Sequence, residues 1–170
     1  MRRLDIYAGV YDNPYRLTGD FVNISQKCQY ALRATFELAK HQGGGVTTVG
    51  DIAEAQAIPP RFLEQILAQL KQGGFVESRR GVMGGYTLAI PAGQLTVGKI
   101  IRFIDGPVAP VKCMTDAADN TCRLSGRCAF LSLWQRAETA VAEVYDSTTL
   151  QNLIDQEQSR LHATVGMYCI

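Results

Sequence analysis

The sequence predicts a mainly α-helical fold with one small β-hairpin and a long helix near the C-terminus. Apolar side chains recur at helical spacing in several segments, most clearly at Leu63, Ile66, Leu67 and Leu70, as expected for helices that bury one face. Two short strand-like segments are joined by a glycine-rich turn, which is typical of a hairpin. With 170 residues, of which 46% are apolar and 19% charged, the chain can bury one sizeable core.

Capping residues predict where the first three helices begin. Ser25 begins a helical segment that a glycine run at 43–45 ends. Thr48 is expected to cap a short second helix, with Asp51 returning the hydrogen bond. Pro60 suits the first position of the third helix, which a glycine pair ends.

Two strands and a fourth helix are expected after the third helix. Residues 75–79 and 86–89 are expected to pair as strands through a turn at 80–85, and Thr96 is expected to cap a helix that ends near Asp105. Two helices joined by a four-residue turn and followed by a glycine-tipped hairpin form the pattern of a winged helix-turn-helix domain. This fold binds DNA through the second helix of the helix-turn-helix motif, which is the third helix of this chain.

We expect the chain to divide into four segments. The helix predicted from about Ala129 to Val144 has more apolar surface than a small domain needs to cover, so we interpret the excess as a dimer interface. A last helix is expected to begin at Ser147. The segments are an irregular extension at 1–21, the winged helix-turn-helix domain at 22–106, a cysteine-bearing loop at 107–128, and dimerisation helices with a tail at 129–170.

Charge and hydropathy exclude several classes of protein. No apolar stretch is long enough to span a bilayer, and the N-terminus lacks the apolar segment of a secretory signal, so we expect a cytoplasmic protein. The net charge of +1 hides an asymmetry, because residues 25–102 hold nine Lys or Arg against five Asp or Glu. A basic front half is what a nucleic-acid-binding module would show.

The candidate DNA-binding residues lie on the third helix and the hairpin. Burial of the Leu/Ile stripe leaves the first turn of that helix exposed, where Arg can bond guanine edges and Glu can accept from the cytosine amino group. The hairpin places arginines beside glycines that allow a close approach to a phosphate or the minor groove. The alternative interpretation is an ordinary solvated face and a hairpin closed by glycines. The candidates are Thr48, Arg61, Glu64, Gln65, Arg79, Arg80, Gly81, Gly84, Gly85 and Tyr86.

Three runs of sequence resemble one known family. They are Ile24-Ser25-Gln26-Lys27, Phe62-Leu63-Glu64-Gln65-Ile66-Leu67 and Arg80-Gly81-Val82-Met83-Gly84-Gly85-Tyr86. Together they resemble the Rrf2 family of bacterial winged-helix regulators, which includes an iron–sulfur cluster regulator and a nitric-oxide-sensing repressor. The resemblance covers about 22–161. It implies a homodimer that grips a pseudo-palindromic DNA operator, with crossed C-terminal helices.

The resemblance also assigns roles and marks departures. It implies that Glu64 reads a base and that Arg80 is the arginine of the wing. Val82 and Met83 replace the usual Pro-Gly of that wing. Family chains begin about two residues before Ile24, so we expect that residues 1–21 come from a start codon assigned too early.

Three of the five cysteines crowd into one loop. Cys113, Cys122 and Cys128 form the spacing Cys-x8-Cys-x5-Cys, which matches neither the Cys-x2-Cys pairs of zinc ribbons nor the tight spacing of bacterial ferredoxins. Thiolates bind soft or borderline metals, and a loop allows three of them to converge. A metal-free thiol switch and a structural zinc site are the alternatives.

The family resemblance favours an iron–sulfur cluster in this loop, of the 2Fe-2S or 4Fe-4S type. The fourth ligand is open: Leu131 stands where some relatives have a His, and Gln29 stands where others use an acid of the partner subunit. Cys28 from the partner subunit is the first candidate in its place, and the alternative interpretation of Cys28 is a small buried residue of the first helix. Asp116, Asp119 and a small exogenous ligand are the others, and Cys169 is not assigned to the site.

The predicted function is therefore a homodimeric transcriptional regulator, expected to be a repressor. A cluster held by the cysteine loop would set its operator affinity in response to redox state, nitric oxide or iron–sulfur status. The alternative is the same fold acting as a cluster-free thiol or small-ligand sensor. We expect no enzyme, because the chain has only two His, no visible catalytic triad and no glycine-rich phosphate loop after a strand.

Overall fold

The computed structural model describes residues 24–81, 84–114 and 122–166. It confirms a mainly helical fold with one small antiparallel sheet. The expected extension at 1–21 lies outside the described residues, as do Val82, Met83, Asp116, Asp119 and Cys169. The elements are α1 (Gln26–Lys40), α2 (Val49–Gln56), α3 (Pro60–Gln72), β1 (Val76–Arg79), β2 (Gly85–Leu88), α4 (Val97–Ile104), a 3-10 turn (Lys112–Met114), α5 (Leu131–Ser147) and α6 (Leu150–Gly166).

Side-chain caps set most of the helix starts. The Ser25 hydroxyl accepts from the Cys28 amide, and Thr48 forms a reciprocal capping box with Asp51. The Thr96 hydroxyl accepts from the Lys99 amide, so these three predicted caps are confirmed. The last helix differs from its prediction, because α5 continues through Ser147 and the cap of α6 is a reciprocal pair between Thr149 and Asn152.

One hydrophobic core joins the helices and the hairpin. All four apolar positions of the α3 stripe are buried, and they fix that helix against α1 and α2. Leu150 is fully buried and Ile154 is 7% exposed, so α6 also contributes to this core. Within one chain α6 packs on α1, and the assignment of α6 to the dimerisation region stays a prediction.

The hairpin is held on two sides. β1 and β2 pair antiparallel with Val76 opposite Leu88 and Arg79 opposite Gly85. On the outer side of β2, Thr47 and Tyr86 exchange two backbone hydrogen bonds of 2.9 and 2.8 Å. This second pairing brings the Thr47 backbone against Gly85, where a Cβ atom would lie 2.6 Å from the Thr47 carbonyl oxygen.

Helix α5 is fastened mainly at its C-terminal end. The guanidinium of Arg102 on α4 donates to both carboxylate oxygens of Asp146, at 2.6 and 2.7 Å. Beyond α5, the Val97 amide donates to the Thr148 carbonyl oxygen at 2.9 Å. None of the 17 residues of α5 is buried. No helix in the described part of the chain is long and apolar enough to cross a membrane.

We expect Gly85→Ala to lower the free energy of unfolding by about 1–3 kcal/mol, because the added methyl group overlaps the Thr47 carbonyl oxygen. The matched control is Gly93→Ala, since a Cβ at Gly93 meets no atom within 4 Å. We expect the control to shift stability by less than about 0.5 kcal/mol. Urea unfolding followed by circular dichroism measures both, and equal effects of the two substitutions would contradict the close approach.

Candidate nucleic-acid interface and cysteine loop

The outward face of α3 presents polar side chains at its N-terminal end. At about 100° per residue, Arg61 and Gln65 lie opposite the buried stripe and Glu64 lies on one flank. All three side chains are exposed. Within the described residues none of them makes a hydrogen bond or an ion pair. The N-terminal end of α3 therefore presents three unpaired polar side chains that could form hydrogen bonds with base edges in a major groove.

The wing lies on one flank of α3. The Lys71 ammonium donates to the Ser78 hydroxyl of β1 at 2.5 Å, which ties the helix to the hairpin. Arg79 and Arg80 are exposed, and neither pairs with another described side chain. These two guanidinium groups are therefore free to bind phosphates or a minor groove.

The other predicted interface residues shape the wing, pack against the core or cap a helix. Gly81 adopts a φ of +109°, which only glycine adopts easily. A Cβ at Gly84 would lie 2.5 Å from the Arg79 carbonyl oxygen, so this glycine is needed within the wing itself, as Gly85 is beside Thr47. Tyr86 packs against the core. The Thr48 side chain is exposed, but its hydroxyl is engaged with Asp51.

The cysteine loop precedes α5. Cys113 is exposed in the 3-10 turn, whereas Cys122 and Cys128 are half-buried on either side of a turn. The Cys128 carbonyl oxygen accepts from the Leu131 amide at 3.3 Å, at the first residue of α5. Among the described residues, no three His, Cys, Asp or Glu side chains form a group that could hold a metal ion.

The donor chemistry of the loop nevertheless suits a soft metal centre. Three thiols in one irregular segment are the ligand type that iron–sulfur clusters use. In this structure the three are not assembled, and residues 115–121 between Cys113 and Cys122 lie outside the described chain. Cys113, Cys122 and Cys128 would be the residues that hold such a group.

Cys28 lies in a different environment from the loop cysteines. It is fully buried on α1 and 0% exposed. Burial, with a smaller contribution from the charge and hydrogen bonding of Asp105, raises the pKa of the Cys28 thiol from 9.0 to about 12. A buried neutral thiol is a poor ligand for a metal on another subunit. This environment does not support the interpretation of Cys28 as the fourth ligand.

Asp105 is a structural residue that the sequence did not single out. Its carboxylate accepts from the Ser25 amide at 2.8 Å and from the Ser25 hydroxyl at 2.6 Å. The end of α4 is thereby tied to the beginning of α1. The sequence showed Asp105 only as a helix terminator, because no local signal reveals a partner 80 residues away.

Thiol labelling tests the placement of Cys28. In reduced, metal-free protein at pH 8 we expect iodoacetamide to alkylate Cys113 readily and Cys28 only on unfolding, because one thiol is exposed and the other is buried with a raised pKa. Peptide mass spectrometry measures both sites in one sample, with urea-unfolded protein as the control. Rapid labelling of Cys28 in the native protein would contradict its burial.

Comparison with known proteins places these features in a family. Residues 24–156 match the Rrf2 family profile, described as an iron-dependent transcriptional regulator. The chain is 39% identical over 132 residues to the transcriptional regulator CymR of Bacillus subtilis, covering 78% of this chain and 89% of CymR. It is 29% identical over 137 residues to the regulator IscR of Pectobacterium atrosepticum, covering 81% and 82% respectively.

Solved structures give the same result. The structure of CymR, the global cysteine regulator of B. subtilis, aligns with a TM-score of 0.65 at 37% identity and covers 79% of this chain and 97% of CymR. IscR of T. potens aligns with a TM-score of 0.62 at 32% identity and covers 79% and 88%. The family resemblance in the sequence is thereby confirmed: the chain belongs to the Rrf2 family of helix-turn-helix transcriptional regulators, which bind DNA and are not enzymes.

Proposed function

We propose that this chain is a homodimeric repressor whose operator affinity depends on an iron–sulfur cluster held by Cys113, Cys122 and Cys128. The observation that carries this proposal is the position of the loop: its last cysteine directly precedes α5, and α5 is fastened to the DNA-binding core at its other end. When bound, such a cluster supplies a redox-active iron centre. Redox state, nitric oxide and iron–sulfur status are the proposed signals.

An uncovered apolar face supports the homodimer. Phe130, Leu133 and Val144 are 60%, 48% and 61% exposed. At about 100° per residue, these positions lie on one side of α5 and its cap residue. Large apolar side chains exposed on one side of a helix are typical of a surface that binds a partner. Crossing of two α5 helices would bury this face and set two α3 helices about 34 Å apart, one helical turn of DNA.

The proposed DNA contacts follow from the free side chains described above. Arg61, Glu64 and Gln65 would read base edges in the major groove, because α3 presents them without internal partners. Arg79 and Arg80 would bind the backbone or the minor groove. Thr48 and Tyr86, together with the wing glycines, would position these groups rather than read bases.

A continuous set of contacts supports coupling between the loop and α3. The loop leads into α5, and Asp146 near its end binds Arg102 on α4. Asp105 at the end of α4 binds Ser25 at the start of α1, and α1 packs against α3. A change of about 1–3 kcal/mol between two loop arrangements would alter operator affinity by about 5–150-fold.

A cluster-free thiol sensor is the second candidate. The likeness to CymR, the global cysteine regulator of B. subtilis, supports it, as does an alignment at 33% identity and a TM-score of 0.59 with an oxidised form of CymR from Staphylococcus aureus. The exposed thiol of Cys113 suits direct oxidation. In that case operator affinity would respond to oxidants in protein that holds no iron.

Anaerobic purification with iron and sulfide analysis distinguishes the two candidates. We expect the wild type to retain iron, sulfide and a visible absorbance band, and Cys113→Ala, Cys122→Ala and Cys128→Ala each to lose them, with Cys169→Ala as the matched control. Operator affinity should differ about 5–150-fold between loaded and metal-free wild type. Metal-free protein that binds its operator tightly and responds to oxidants would overturn the cluster and favour the thiol sensor.

Two substitutions separate base reading from backbone binding. We expect Glu64→Ala to relax base preference at one operator position while the salt dependence of affinity is unchanged, because a base contact releases no counterion. We expect Arg80→Ala to weaken binding to all sequences and to reduce the slope of log affinity against log salt by about 0.9. Each variant serves as the control for the other in a binding titration at several salt concentrations. A uniform loss for Glu64→Ala, or an unchanged slope for Arg80→Ala, would refute the assigned role.

A further inference from the structure

A groove lies between α1 and α3, beside the face that presents Arg61 and Gln65. Its volume is about 390 Å³. The side chains of Phe62, Tyr30 and Ile66 supply apolar walls, while Lys27, Gln26 and Gln65 supply the polar groups. Gln65 belongs both to this groove and to the exposed face of α3. The groove is therefore continuous with the proposed base-reading surface.

Phe62 is an exposed phenyl ring on the helix that would enter the major groove. It is the third residue of α3 and is 59% exposed, whereas its neighbour Leu63 is fully buried. The Phe62 ring is not among the side chains that form the hydrophobic core or pack against it. Thymine is the base that presents an apolar group in the major groove, its C5 methyl, and phenyl rings are among its usual contacts.

The charge of the groove fits a phosphate. The side chain of Lys27 is exposed, and it makes no ion pair or hydrogen bond with another described residue. The described residues that line the groove include no Asp or Glu. A second groove of about 440 Å³ lies between α1 and α6. It is a poorer candidate for binding DNA, because its lining includes the acid Glu157 and no residue of α3.

We propose that the groove between α1 and α3 is part of the operator-binding surface, with Phe62 contacting the C5 methyl of a thymine and Lys27 binding a flanking phosphate. This inference rests on the DNA-binding role proposed for α3. It makes Phe62 a determinant of sequence specificity through an apolar contact, in addition to the hydrogen-bonding side chains of Arg61, Glu64 and Gln65.

Replacing thymine with deoxyuridine tests the apolar contact, because deoxyuridine lacks only the methyl group. The operator is first obtained by in vitro selection with the full chain, and each thymine is then replaced in turn. We expect one position per half-site at which the replacement lowers wild-type affinity by about fourfold, the value for burying one methyl group. Phe62→Ala should bind the two operators equally, and Phe62→Leu should restore a preference for thymine.

The possible outcomes separate this inference from the proposed function. Failure to select any specific DNA would refute the proposed function itself. Specific binding in which no thymine methyl matters, or in which Phe62→Ala loses the same affinity on both operators, would overturn the role of Phe62 alone. Unchanged DNA binding by Phe62→Ala would also overturn the role of Phe62.

Salt dependence tests Lys27 independently. We expect Lys27→Gln to reduce the slope of log affinity against log salt by about 0.9, because one phosphate contact is lost. Lys99→Gln is the matched control, since it removes the same charge from α4, where the Lys99 ammonium donates to the Gln94 carbonyl oxygen. Equal slopes for Lys27→Gln and the wild type would exclude a phosphate contact at Lys27.

Discussion

The bidentate ion pair between Arg102 and Asp146 sets how the C-terminal end of α5 meets α4. Its hydrogen bonds hold the pKa of Asp146 below its ordinary value and that of Arg102 above it. Both side chains are partly exposed, at 39% and 47%, so water screens the pair and its net contribution is about 1 kcal/mol or less. Gly98 permits this geometry, because a Cβ there would overlap the Asp146 carboxylate. Within one chain α5 has no buried residue and one screened ion pair to α4, which fits the homodimer proposed above.

The interior of the molecule contrasts with this attachment. Leu63, Leu67 and Leu70 are fully buried, and they hold α3 at a fixed position between α1 and the wing. Close-packed interiors resist small displacements and transmit them to their neighbours. The helices of this core, α1 included, are therefore suited to move as one unit. Such a movement would change the alignment of α3 on DNA without repacking the core.

Features set by neighbouring residues could be predicted from the sequence, and features set by distant contacts could not. The caps at Ser25, Thr48 and Thr96 and the apolar stripe of α3 depend on residues within four positions, and the structure confirms them. The links from Asp105 to Ser25 and from Asp146 to Arg102 join residues 80 and 44 positions apart, so no local pattern could reveal them. The same limit applies to the wing, where Gly85 is required by Thr47 on another segment. It applies also to α6, whose place in the core follows from its packing on α1.

The start of α5 is less well secured than the starts of most other helices of the described chain. Phe130 occupies the cap position, and its side chain makes no capping hydrogen bond, whereas side chains cap α1, α2, α4 and α6. Without a side-chain cap, the first turn of a helix depends on backbone carbonyl oxygens or water for its amide partners. The Cys128 carbonyl oxygen accepts from the Leu131 amide of that first turn, so the cysteine loop is joined directly to the start of α5. Since Phe130 and Leu133 are part of the uncovered apolar face, a change at that end alters the surface available to a second subunit. The proposed switch therefore acts on the end of α5 that local hydrogen bonds hold least, while Arg102 retains the other end.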